Sequence, residues 1–164
     1  KKISGAKVFA TKVDNPKQFG VVEFNKKMEV VSLKEKPINP QSNYAVIGLY
    51  IFDETVFDYL KELNPSKRGE LEIVDLLNNY FYNNHLSLEI LRRGSVWFDA
   101  GTPESLLSAG LFIETFENQS GVMIGCIEEA AFMRNFITKK KLSSIVKSMP
   151  KSIYKEYLVK LLKE

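Results

Sequence analysis

The hydrophobic pattern along this chain opens with a period near two and closes with a helical one. Lys7 to Val13 alternates polar and apolar residues and predicts a strand, which Asp14-Asn15-Pro16 ends. Gly20 to Phe24, the turn Asn25-Lys26-Lys27 and Met28 to Lys36 predict a hairpin, with Val31, Leu33 and Glu35 on one face of its second arm. After Pro37 and Pro40, Tyr44 to Phe52 is apolar on both faces, as a central strand covered on two sides would be. Gly48 interrupts it, either because something approaches that backbone or because a helix packs there.

A helix opening at Asp53-Glu54 is expected to bury Val56, Phe57, Leu60 and Leu63. A second, from about Leu71, should bury Ile73, Leu76, Leu77, Tyr80 and Phe81. Asn83-Asn84-His85 is a turn with a solvated histidine, and Leu86 to Leu91 is a further strand. Val96-Trp97-Phe98 then predicts a buried strand end that presents Asp99 just before a helix, with Thr102 as N-cap and Pro103 at its first position. Asp99 in that place is a ligand for chemistry or a pin for the turn. Beyond it the pattern is helical: Leu106, Ala109, Ile113 and Phe116 form one amphipathic stripe. Shorter helices follow over 128–136, 139–147 and 151–162, the last with Ile153, Tyr157, Leu158, Leu161 and Leu162 on one side. Strands first and helices later predict an α/β front with a helical tail.

Composition narrows the class. The 164 residues, 45% hydrophobic and 26% charged, fit one globular domain with a real core. A net charge of +3 with scattered lysines, apart from Lys139-Lys140-Lys141 at a helix end, argues against nucleic acid. No apolar run reaches membrane-spanning length. The single cysteine, Cys126, excludes an intramolecular disulfide and fits a reducing, cytoplasmic setting. The chain starts at Lys1 and runs almost directly into a strand, as a piece of something longer would.

The sequence contains no glycine-rich phosphate loop, no Cys/His metal spacing and no Ser-His-Asp set. The polar groups at loop ends are Glu35, Lys36, Arg68 and Asp99. Asp suits Mg²⁺, while Lys and Arg suit phosphate, so together they would serve phosphoryl-type chemistry by positioning and neutralising charge.

Five motifs occur in order: Phe19-Gly20-Val21-Val22-Glu23-Phe24, Glu35-Lys36-Pro37, Asn43 to Tyr50, Arg68-Gly69-Glu70-Leu71-Glu72-Ile73 and Trp97-Phe98-Asp99-Ala100-Gly101-Thr102. With them the chain resembles the carboxy-terminal part of bacterial glucose-1-phosphate thymidylyltransferases, from about Gly5 onward. The resemblance implies the three-layer α/β/α nucleotide-diphospho-sugar transferase fold. It implies a sugar-phosphate-binding part over 1–102 and a helical tail over 103–164 for subunit packing. It also implies that Gly20, Glu35, Val46 and Tyr50 line a glucose pocket and that Lys36 and Arg68 hold the sugar phosphate. Lys36 and Asp99 would be catalytic, Asp99 as one of two Mg²⁺ ligands. The complete enzyme would join dTTP and glucose 1-phosphate into dTDP-glucose and release pyrophosphate, in a tetramer, without nucleic acid or membrane. Glu129 matches a regulatory nucleotide position; Met133 stands where the family has arginine, which removes a phosphate-binding fork there. The competing expectations are a non-catalytic sugar-binding or interaction module and a uridylyl- or cytidylyltransferase relative.

Overall fold

The computed structural model describes residues 4–66 and 69–163. The chain divides into two compact units, Lys1–Trp97 and Phe98–Glu164. Among the described residues the protein is mixed α/β, with one five-stranded sheet and six α-helices, which bears out the expected class.

The first unit holds the sheet. Its strands are β1 (Ala6–Lys12), β2 (Gly20–Phe24), β3 (Val30–Glu35), β4 (Tyr44–Phe52) and β5 (Leu86–Ile90), in the order β3-β2-β4-β1-β5. β1 runs parallel to β5, and the other pairs are antiparallel. The period-two reading of β1 holds: Ala6, Val8 and Ala10 are buried and their neighbours less so. In β4 the consecutive residues Ala45, Val46 and Ile47 are all buried, so both faces of this central strand are covered. Two helices complete the unit, α1 (Val56–Lys61) and α2 (Ile73–Tyr82). Val74 and Leu77 of α2 join Val8, Ala10, Val22, Leu33 and Val46 in the main core, while Leu76 and Tyr80 pack with Ala6, Val56, Tyr59 and Leu63. Burying a side chain of this size contributes about 1.5–3 kcal/mol, so α2, buried on two sides, is the main brace of the sheet.

Several expectations about faces are corrected. The pairing Glu23↔Ser32 is followed by Phe24↔Val30, which leaves Val31 as the extra residue of a bulge. It is therefore 55% exposed, and Val30 packs on the core instead. Gly48 lies where Val8↔Tyr50 steps to Ala10↔Val46; a methyl built on it meets nothing within 4 Å, so no helix of this chain packs there. In α1 the buried side is Val56 and Tyr59, and Phe57 points outward at 68% exposure because the helix is only six residues long and turned by its anchor at Tyr80. In α2 the buried position is Val74 rather than Ile73. Residues 96–98 form no strand: among the described residues they have no ladder partner, and an extended segment without one has nothing to receive its backbone hydrogen bonds.

One junction holds the unit's N-terminal end. Gly5 adopts φ +81, and a Cβ there would lie 2.2 Å from the His85 carbonyl oxygen, so only glycine fits. Its N–H donates to Asp53 Oδ2 at 2.6 Å, and Asp53 Oδ1 accepts from the Thr55 hydroxyl (2.5 Å), the Thr55 N–H (3.1 Å) and the Tyr80 hydroxyl (3.2 Å). The Thr55 hydroxyl bond first, and then the Gly5 N–H, lower the Asp53 pKa to about 2.

The second unit is helical, with α3 (Pro103–Ser120), α4 (Ile127–Met133), α5 (Lys139–Ser148) and α6 (Ile153–Leu161). Thr102 caps α3 as expected, and Pro103 opens it. Gly121 ends it with φ +70, the left-handed terminus that glycine permits. Cys126, Leu142, Val146, Leu158 and Leu161 form this unit's core. The expected stripe of α6 is corrected at its start, where Ile153 is 80% exposed; Leu158 and Leu161 are the residues that bury. No described helix is long and apolar enough to cross a membrane.

Candidate active site

The hairpin and α2 assemble one polar corner of the first unit. Gly20, the first residue of β2, lies opposite Glu35, the last residue of β3. The two strands thus end side by side, and the face they share carries the carboxylate. A Cβ on Gly20 would come 3.0 Å from Val74 Cγ2, 3.2 Å from Glu35 Oε2 and 3.9 Å from Val46 Cβ. Any side chain at this position would therefore crowd a fixed valine and the acid.

Lys36 follows directly and turns sharply, with φ +41, a left-handed conformation that costs a lysine strain. Its N–H donates to the Phe19 carbonyl at 3.0 Å, which secures the turn against the residue before Gly20. The lysine Nζ sits 3.9 Å from Glu35 Oε1, a loose ion pair between half-exposed side chains. Phe19 is in turn packed edge-on by Trp97, with ring centroids 5.2 Å apart. On β4, burial and then the charge of Glu35 push the Tyr50 phenol pKa up, so this hydroxyl stays protonated and belongs to the same electrostatic neighbourhood.

Five of the expected residues, Gly20, Glu35, Lys36, Val46 and Tyr50, are thus brought together in one unit from β2, β3 and β4. Arg68 lies outside the described residues. Its loop is closed on both sides: the Ser66 N–H donates to the Glu70 carbonyl and the Gly69 N–H to the Ser66 carbonyl, both at 2.8 Å. The Ser66 hydroxyl also donates to Glu72 Oε1 at 2.9 Å. Asp99 belongs to the second unit and is exposed on irregular backbone ahead of α3. A Cβ on Gly101 would lie 3.4 Å from Asp99 Oδ1, so the carboxylate folds back over that glycine. Glu129, in the first turn of α4, accepts a 2.6 Å hydrogen bond from the Tyr157 hydroxyl, and Glu128 beside it accepts one from Tyr154. Burial first and this bond second raise the Tyr157 pKa. Met133 is exposed at the end of the same helix.

Sequence reasoning passed over Val74, Phe19 and Trp97 as contributors to this corner. Val74 was legible in principle, since it stands three residues before Leu77, the helical spacing that puts two side chains on one face. The Phe19–Trp97 contact joins residues far apart in sequence and carries no local signal.

Chemically, this corner offers a carboxylate acceptor, a phenol donor, a lysine and an apolar wall. That set suits a polyhydroxylated ligand bearing an anionic group. Among the described residues no group of three or more His, Cys, Asp or Glu side chains could hold a metal ion, so a divalent cation here would have to rely on fewer protein carboxylates. One carboxylate fits Mg²⁺, which usually takes one or two from protein and the rest from phosphate and water.

Residues 1–115 match the nucleotidyl transferase family. The chain is 46% identical over 160 residues to the glucose-1-phosphate thymidylyltransferase of Neisseria meningitidis, covering 98% of this chain and 56% of that protein. It is 44% identical to the enzyme of the same name from Mycolicibacterium smegmatis, with the same coverage. The chain thus spans about half the length of these relatives. Among solved structures it resembles one from Bacillus anthracis, reported as a glucose-1-phosphate thymidylyltransferase in complex with sucrose. The TM-score is 0.60 at 42% identity, over 68% of this chain and 44% of that one. It also resembles a UDP-glucose pyrophosphorylase complexed with UDP-glucose, with TM-score 0.59 at 25% identity and the same coverage.

Proposed function

Since the chain belongs to the nucleotidyl transferase family, we propose that it is the sugar-phosphate-binding part of a glucose-1-phosphate thymidylyltransferase. The complete enzyme joins dTTP and glucose 1-phosphate into dTDP-glucose and releases pyrophosphate. The observation that carries this reading is the close packing of Gly20 against Val74, Glu35 and Val46, which sets the Glu35 carboxylate beside the end of β2. A side chain there would push the Glu35 carboxylate out of place. Glu35 accepts hydrogen bonds from sugar hydroxyls, and Tyr50, held protonated, donates one. Lys36, turned by its bond to Phe19, and Arg68 take the sugar phosphate, neutralising the charge that the two reacting phosphates bring together. Mg²⁺ would supply neutralisation of phosphate charge, and Asp99 is the residue of this chain that would hold it. The remaining contribution of the corner is to orient the sugar phosphate oxygen for in-line attack, with no covalent enzyme intermediate. Homo-oligomerisation through the helical tail and a cytoplasmic location complete the proposal. In the tail, Glu129 is already engaged by Tyr157 and Met133 offers no fork, so we assign no nucleotide regulation to it.

The chain contains no glycine-rich phosphate loop, so we expect no turnover from these residues alone. Incubation with dTTP, glucose 1-phosphate and Mg²⁺ should release no pyrophosphate above background, and clear release would overturn this expectation. In a protein of the relatives' full length that carries this chain, Asp99→Asn should remove most activity while leaving the fold intact. Near-normal turnover would make Asp99 a turn residue. A uridylyl preference is the second reading, favoured by the likeness to the UDP-glucose enzyme. Comparing kcat/KM for dTTP and UTP in that longer protein decides between them.

A further inference from the structure

The second unit separates its charges along the chain. Residues 98–133 contain six acidic residues and no lysine or arginine, whereas 134–163 contain nine lysines or arginines and one acid, Glu156. Folding gathers part of this excess. Lys155 and Val159 lie one helical turn apart on α6, and Lys151 and Lys163 flank the helix just before its N-cap and just after its C-cap. With Lys160 and Glu156 they line a cleft of about 440 Å³. Among the described residues the ion pairs are Lys7–Glu89, Lys36–Glu35 and Lys61–Asp58, all in the first unit, so none of the cleft's lysines has a carboxylate within 4.0 Å. Lys155 Nζ donates instead to the Met149 carbonyl at 2.7 Å, which fixes its position at the cleft.

We propose that this cleft binds a small multivalent phosphate-type anion. Four ammonium groups around one concave space repel each other when uncompensated, and an anion with several charges converts that repulsion into attraction. Ammonium groups recognise phosphate as point charges, without the planar fork that carboxylate recognition favours. The cleft presents Val159 and lysine stems and no aromatic ring, so bases of single-stranded nucleic acid have nothing to stack on. The apolar residues Leu158 and Leu161 of the same helix are committed to the unit's core, so α6 has no long apolar face for a lipid surface. The site is separate in sequence from Lys36 and Arg68, to which the sugar phosphate was assigned.

The test is calorimetric titration of the full chain with sodium pyrophosphate and with sodium tripolyphosphate, at about 50 mM and about 300 mM salt. Saturable one-to-one binding is expected, tighter for tripolyphosphate, weaker for orthophosphate and weakened by salt. The double variant K151Q/K163Q should lose about tenfold or more in affinity, and Lys160→Glu should lose at least as much. Lys36→Gln should bind as the unsubstituted chain does. Circular dichroism should show the helices intact in all variants, since the substituted side chains lie outside the core. Absence of saturable binding, equal binding by K151Q/K163Q, or loss of binding in Lys36→Gln alone would overturn the proposal. So would binding confined to heparin or to anionic vesicles.

Discussion

Gly20→Ala is the most incisive change in this chain, because one methyl group meets two neighbours of opposite character. The new Cβ would lie 3.0 Å from Val74 Cγ2 and 3.2 Å from Glu35 Oε2. Glu35 ends a strand, and its carboxylate can swing away. Val74 is 2% exposed, in the first turn of the helix that braces the sheet, and has no room to yield. Overpacking of this kind costs about 1–3 kcal/mol. Against it stands the smaller conformational freedom of alanine in the unfolded chain, about 0.4–1 kcal/mol. The net expectation is destabilisation of about 1 kcal/mol. With a urea slope of about 1–3 kcal/mol/M, the midpoint should fall by roughly half a molar. Trp97 is the sole tryptophan and packs on Phe19, the residue before Gly20, so its fluorescence reports unfolding of this corner. The same methyl displaces Glu35 from the position proposed for accepting sugar hydroxyls, so in the longer protein KM for glucose 1-phosphate should rise about tenfold. An unchanged or raised midpoint together with an unchanged KM would refute the packing argument and the sugar assignment.

Gly5→Ala should cost more, about 3 kcal/mol or above, because the methyl would meet the His85 carbonyl at 2.2 Å and the backbone has φ +81; wild-type thermal unfolding by circular dichroism would show this wrong. Asp53 supplies a pH signature. Its folded pKa, near 2, lies below the ordinary aspartate value of 3.8, so its stabilising contribution is complete above about 4 and is lost as pH falls through about 2. Urea midpoints measured across that window should fall with pH, and Asp53→Asn should remove the Asp53 part of the slope; an identical slope in the variant would refute the assignment. Tyr157→Phe should destabilise the second unit by about 1–2 kcal/mol, since it removes the hydroxyl that donates to the Glu129 carboxylate and also meets the Met123 backbone. Unchanged hydrogen-exchange protection in α4 and α6 would show that bond to be idle.

Local pattern alone placed most of the elements. β1, the hairpin and β5 follow from two-residue alternation and turn chemistry, because a strand half-covered by a core must alternate to bury one face. β4 follows from a continuous apolar run that is covered on both faces. The start of α3 follows from Thr102 and Pro103, whose cap and fixed φ act within a single turn. Glu35 was also legible, as a carboxylate at the end of an apolar strand face. Tertiary structure decided the rest, and for a physical reason in each case. Bulges at Val31 and Gly48 shift the register by residues that no local signal marks, and one such shift moves a side chain from core to solvent. Which side of α2 faces the sheet was decided by its two packing partners, which buried Val74 and left Ile73 outside. Residues 96–98 have the apolar character of a strand, yet a strand exists only where a neighbour accepts its hydrogen bonds. Gly20 was named by resemblance; the reason it must be glycine is the distance to Val74 and Glu35, which are distant in sequence and meet only in the fold.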